Sequence, residues 1–138
     1  MSKQKITVQT AINAPVEKVW QYWTDPGHIT KWNFASQDWH CPVASNDLRK
    51  NGKISLRMEA KDGSAGFDFE GVYSRVEKNK ELTYLMADGR EVSVLFFPSE
   101  GTTIVKETFE AENIYPAEKQ KEGWQAILDN FKTHVENN

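Results

Sequence analysis

Hydrophobic positions along the chain change their period from segment to segment, and each change predicts an element. Ile6, Val8, Thr10 and Ile12 share one side of an alternating stretch, with Thr7, Gln9 and Ala11 on the other, as in a half-buried strand. The spacing then turns helical. Val16, Val19, Trp20 and Trp23 recur at i, i+3, i+4 and i+7 behind Pro15, whose missing N–H suits a first helical position. Asp25-Pro26 stops that helix and starts a second, with Asp25 as N-cap and Ile29 and Trp32 turned to the core. From Asn33 to Asn51 no period holds, and Phe34, Trp39, Cys41, Pro42, Val43 and Leu48 are mixed with Ser, Asn and Asp. This segment reads as a long loop, and loops of that length are often functional.

Alternation then returns in five short runs, each closed by a turn. They are Ile54 to Ala60 before Asp62-Gly63, Phe67 to Tyr73, Leu82 to Met86 before Asp88-Gly89, Val92 to Phe96, and Thr103 to Phe109. Pro116 opens a final helix in which Trp124, Ile127, Leu128, Phe131 and Val135 recur at helical spacing. At about 1.5 Å per residue it would be roughly 30 Å long, the width of a small domain. The pattern therefore predicts an α+β fold: six strands joined mostly by tight turns, hence an antiparallel sheet, two short helices between strands 1 and 2, and one long C-terminal helix.

Composition narrows the class. The 138 residues fit a single domain spanning 1–138. A net charge of -3 with no Lys/Arg cluster removes the electrostatic footprint of a nucleic-acid binder. No apolar run approaches the roughly 20 residues of a membrane span. Cys41 is the only cysteine, which fits a reducing compartment, and the polar start Met1-Ser2-Lys3-Gln4-Lys5 has no signal-peptide core. The expected location is the cytoplasm. One cysteine and three scattered histidines give no metal-ligand spacing, and no phosphate-binding or nucleophile-elbow motif occurs, so neither cofactor nor metal is expected.

Several short motifs sit at defined places in this order: Ala14-Pro15-Val16-Glu17-Lys18-Val19-Trp20, Ile29-Thr30-Lys31-Trp32, Gly71 in a strand, and Gly123-Trp124 with Leu128 in the last helix. With them the whole chain resembles the START-related, birch-pollen-allergen-like (SRPBCC) superfamily, and within it the branch named for activators of a heat-shock chaperone's ATPase. The resemblance implies a helix-grip fold, in which the curved sheet wraps around the long helix and leaves a cavity between them. It also implies binding of small hydrophobic molecules, cyclase-type catalysis or co-chaperone activity. A Gly-Gly pair usual ahead of the second strand is here Asn51-Gly52, so only its second glycine is matched.

Two sets of residues suggest chemistry. In the last strand Val105, Glu107 and Phe109 share a side, so Glu107 should point inward as a polar anchor, or else make a structural hydrogen bond or salt bridge. In the predicted loop, Asp38-Trp39-His40-Cys41 groups an acid, a histidine and a thiol. Neighbouring residues seldom face each other, so a Cys/His dyad is the least favoured reading, behind ordinary core or loop packing and a polar role for His40 or Asp38 at the cavity mouth. The large aromatics Trp32, Phe34, Trp39, Phe69, Tyr84, Phe96 and Trp124, with Leu128, are the candidate apolar lining. The expected function is non-catalytic binding of a small hydrophobic or amphipathic molecule, oriented by Glu107, Tyr84 and His40. The alternatives are a protein-interaction module acting on a chaperone, with a patch around Phe34 to Leu48, and a cyclase or hydrolase using Glu107 or His40 as acid or base.

Overall fold

A computed structural model describes residues 4–138; Met1, Ser2 and Lys3, part of the polar start, lie outside the described residues. The elements run β1 (Lys5–Ile12), α1 (Val16–Thr24), α2 (Pro26–Trp32), β2 (Trp39–Asn46), β3 (Lys53–Ala60), β4 (Gly66–Glu77), β5 (Glu81–Met86), β6 (Glu91–Ser99), β7 (Thr102–Glu110) and α3 (Ala117–Glu136). The strands form one curled antiparallel sheet in the order β1-β7-β6-β5-β4-β3-β2. β1 closes one edge by pairing with the distant β7, Lys5 opposite Glu110 through Ile12 opposite Thr103.

The sheet has seven strands, one more than the pattern predicted. The extra strand, β2, occupies part of the expected 33–51 loop and pairs with β3, from Trp39 opposite Ala60 to Asn46 opposite Ile54. Its register shifts between His40 and Val43. Pro42 lies in that interval, where a residue without an N–H is tolerated, on an edge strand at a bulge. The bulge changes the phase of the side chains, so Cys41 is buried while Val43 is exposed, and the alternation that marks a strand is lost.

The helices form as the spacing indicates, with small shifts at their ends. Pro15 and Pro116 are the N-caps of α1 and α3, one position before the first helical residue. Asp25 caps α2 by accepting a hydrogen bond from the Gly27 amide at 3.1 Å. α3 lies across the sheet, its Trp124 ring stacked on Phe109 of β7 with centroids 4.0 Å apart. Phe131, about two turns further on, is wedged edge-on between Trp23 and Trp32, at 4.8 and 4.7 Å. His28 of α2 and His134 of α3, which the sequence leaves unrelated, are joined ring to ring by a 2.9 Å hydrogen bond.

Gly52 shows why part of the expected glycine pair is retained. A Cβ there would overlap the carbonyl oxygen of Asp47, and this tight turn also passes the Gly52 carbonyl to the Tyr73 amide at 2.9 Å. Gly52→Ala should therefore move backbone rather than a side chain, and lower stability by about 3 kcal/mol. Urea unfolding of the variant checks this; an unchanged midpoint would contradict the packing described.

Candidate functional site

Between the sheet and α3 lies a cavity of about 360 Å³. This is at the small end of the range for small-molecule sites. Alternation on the strands decides which side chains reach it. Ile54, Leu56 and Met58 come from β3, Phe69 and Tyr73 from β4, Tyr84 and Met86 from β5, and Glu107 from β7. α3 contributes Gln120, Gly123, Trp124 and Ile127, while Trp23, Ile29 and Trp32 close the end beneath α1 and α2. Gly71 sets one of these groups in place. A Cβ at that position would lie 2.7 Å from Cδ2 of Tyr84, so the missing side chain is what lets the Tyr84 ring lie against β4.

The polar groups of the wall fall into two sets. At the mouth, the Gln120 amide accepts from the Glu112 amide at 2.9 Å and donates to the Glu112 and Tyr115 carbonyls at 3.2 and 2.7 Å, which fixes the turn between β7 and α3. Arg90 and Lys119 also line this end, and Arg90 is held by Asp88 at 2.8 Å. Deeper in, Glu107 is 6% exposed and Tyr84 8%. Among the described residues neither side chain has a hydrogen-bond partner. Burial alone pushes the Glu107 carboxyl up from 4.5 to about 8. The Tyr84 hydroxyl is raised well above its ordinary value by burial, with the nearby Glu107 charge adding to the effect. Tyr73, by contrast, is satisfied: its hydroxyl donates to Asn46 at 2.7 Å.

The residues singled out from the sequence divide accordingly. Trp32, Phe69, Tyr84, Glu107 and Trp124 come together around the cavity. Phe34, Trp39, His40, Phe96 and Leu128 stand outside its lining. Phe96 is covered by Trp20 and Trp23 of α1, at 5.3 and 6.1 Å, because α1 occupies that end of the sheet's inner face. Leu128 is fully buried in the core, one helical turn past Trp124. Phe34 lines a separate shallow depression with Asn130 and Thr133. Trp39 packs on Phe67 at 5.9 Å near the β2 edge. His40 lies beside Glu59, 3.7 Å away, with a half-exposed side chain, and Cys41 points the other way into the core, where burial raises its thiol pKa. No Cys/His pair is assembled. Sequence reasoning passed over Met58, Met86, Arg90 and Gln120. The two methionines share the inward parity of their strands, a signal that was available, whereas Arg90 is placed by the β5–β6 turn and Gln120 by the turn after β7.

Residues 13–136 match the family described as Activator of Hsp90 ATPase homolog 1-like protein. The chain belongs to this family. The match bears out the resemblance to the SRPBCC superfamily and its chaperone-activator branch. Among solved structures, the family's AHSA1-like protein from Aeromonas hydrophila is 48% identical, with a TM-score of 0.91 over 97% of this chain and 93% of that one. A protein from Cytophaga hutchinsonii is also 48% identical, with a TM-score of 0.84 over the same shares. A protein from Chromobacterium violaceum shares the fold at 20% identity, with a TM-score of 0.87 over 98% and 99%. No curated protein matches the sequence. No helix among the described residues is long and apolar enough to cross a membrane.

Proposed function

We propose that this protein binds a small hydrophobic or amphipathic molecule in the cavity between sheet and α3, without transforming it. One observation carries the reading. A mostly apolar cavity contains a buried carboxyl group, Glu107, that no donor among the described residues satisfies. Burying such a group is costly, and a stable core has no need of it. The aromatic and aliphatic walls supply burial at about 25 cal/mol per Å², and Glu107 and Tyr84 supply orientation. Catalysis has less support, because His40 stands outside the cavity lining and Glu107 makes no hydrogen bond or ion pair to another acid or base among the described residues.

Native mass spectrometry of freshly purified protein tests the proposal. A small-molecule adduct that disappears on denaturation is the expected result. Thermal shift gives the complementary measurement: a ligand at a hundred times its Kd should add about 2.7 kcal/mol of stability. If no apolar compound in a broad panel raised the melting temperature, the binding reading would be lost. The family's name favours a second reading, stimulation of a chaperone ATPase through a protein contact. Chaperone ATPase rates with and without the protein decide it, and an unchanged rate would reject it.

A further inference from the structure

We propose that the cavity selects a neutral, ring-sized apolar ligand bearing a carbonyl oxygen at its inward end, held by hydrogen bonds from Glu107 and Tyr84. This rests on the binding reading above and specifies the ligand's chemistry.

Most buried polar side chains of the core are satisfied within the protein. Thr103 donates to the Ala14 carbonyl at 2.9 Å, Thr24 to the Trp20 carbonyl at 2.8 Å, and Gln120 makes three bonds at the mouth. Among the described residues, Oε1 of Glu112 is unpartnered at the mouth, and on the cavity wall Glu107 and Tyr84 have no partner. They flank β6, since Glu107 pairs with Val94 and Tyr84 with Val92, so both project from neighbouring places on one inner face. Each is more than nine-tenths buried and lines the cavity without a hydrogen-bond partner among the described residues.

Their protonation sets the ligand chemistry. Tyr73 and Tyr84 on the inner wall are neutral, and the charged groups Arg90, Glu112 and Lys119, together with Tyr115, line the cavity from the mouth. With its carboxyl raised to about 8, Glu107 is a neutral acid at pH 6.5, and so offers an O–H, as Tyr84 does. Two donors on an apolar wall fit an acceptor that carries no charge of its own. An inward carboxylate would be buried as a charge beside an acid. A fatty-acid tail threaded inward would cover both donors with methylene groups and leave them unpaired. A ketone avoids both penalties.

Fluorenone and fluorene form a matched pair of probes that differ at the carbonyl, and fluorene carboxylate adds the charged case. Calorimetric titration at pH 6.5 should show fluorenone binding about 10-fold tighter than fluorene or better, with the carboxylate weakest. The carbonyl stretch of bound fluorenone should move to lower frequency than in an apolar solvent. Glu107→Leu and Tyr84→Phe should each shrink the fluorenone preference and part of the band shift, whereas Glu107→Gln, which keeps a donor, should retain most of both. Fluorene binding as tightly as fluorenone, or an unshifted carbonyl band in the wild-type protein, would overturn this inference and leave the cavity reading standing. If neither probe bound, the cavity reading and the inference would fall together.

Discussion

Glu107→Gln should flatten the dependence of stability on pH between 5 and 9. In the folded protein the Glu107 carboxyl holds its proton up to about pH 8, whereas in the unfolded chain it gives that proton up near its ordinary value of 4.5. The folded state therefore binds more protons throughout this window, and stability falls as pH rises. The contribution of the neutral acid is fully present below 4.5 and is lost as pH climbs through about 8. At about 1.4 kcal/mol per tenfold change in proton affinity, the displacement is worth roughly 5 kcal/mol. The glutamine variant has no proton to lose, so it should match the wild type near pH 5 and exceed it by several kcal/mol at pH 9. Burial lowers the His134 pKa as well, but that contribution is common to both proteins and cancels in the difference. Urea unfolding at pH 5, 7 and 9 measures it. Parallel curves for the two proteins would mean that Glu107 is hydrated and ordinary, and that the cavity lacks its anchor.

Gly123→Phe should weaken ligand binding on the order of 100-fold while the protein stays folded. Gly123 lines the cavity from α3, and a Cβ built there meets nothing within 4 Å. A phenyl ring would thus enter space the ligand needs, beside Trp124 and opposite the sheet. Losing about 100–150 Å² of apolar ligand contact costs roughly 3 kcal/mol, or on the order of 100-fold in Kd. The fold should tolerate the change, because the ring replaces solvent-accessible space rather than packed atoms, and removing glycine from a helix interior favours the helix by up to about 1 kcal/mol. Calorimetry with a cavity probe, beside thermal unfolding, reads both effects. A variant that binds as well as wild type would show that the ligand sits elsewhere; one that unfolds would show the space is already filled.

How far the site was legible depends on which rule each residue obeys. Glu107 was readable from strand parity alone: Val105, Glu107 and Phe109 are all buried on one face. The same parity marks Phe69, Tyr84 and Met86. It also marks Phe96, which faces inward as expected yet meets α1 instead of the cavity. Parity gives the side of a sheet, but which helix covers each part of that side is a tertiary fact. β2 was hidden for a local reason, since Pro42 and the bulge around it break the alternation by which a strand is recognised. Without that strand the sequence places Trp39 and His40 at the cavity, whereas both lie on the edge strand β2 and outside the lining. The fold as a whole was more legible than the site, because turns, caps and periods repeat along the chain while the cavity wall draws single residues from many elements.

The five tryptophans offer the most direct test. Trp23, Trp32 and Trp124 line the cavity, whereas Trp20 is packed against Phe96 and Trp39 against Phe67. In a two-dimensional NMR titration with fluorene, the indole N–H signals of Trp23, Trp32 and Trp124 should shift or broaden, while those of Trp20 and Trp39 hold their positions. Shifts confined to Trp39, or none at saturating probe, would contradict binding between the sheet and α3.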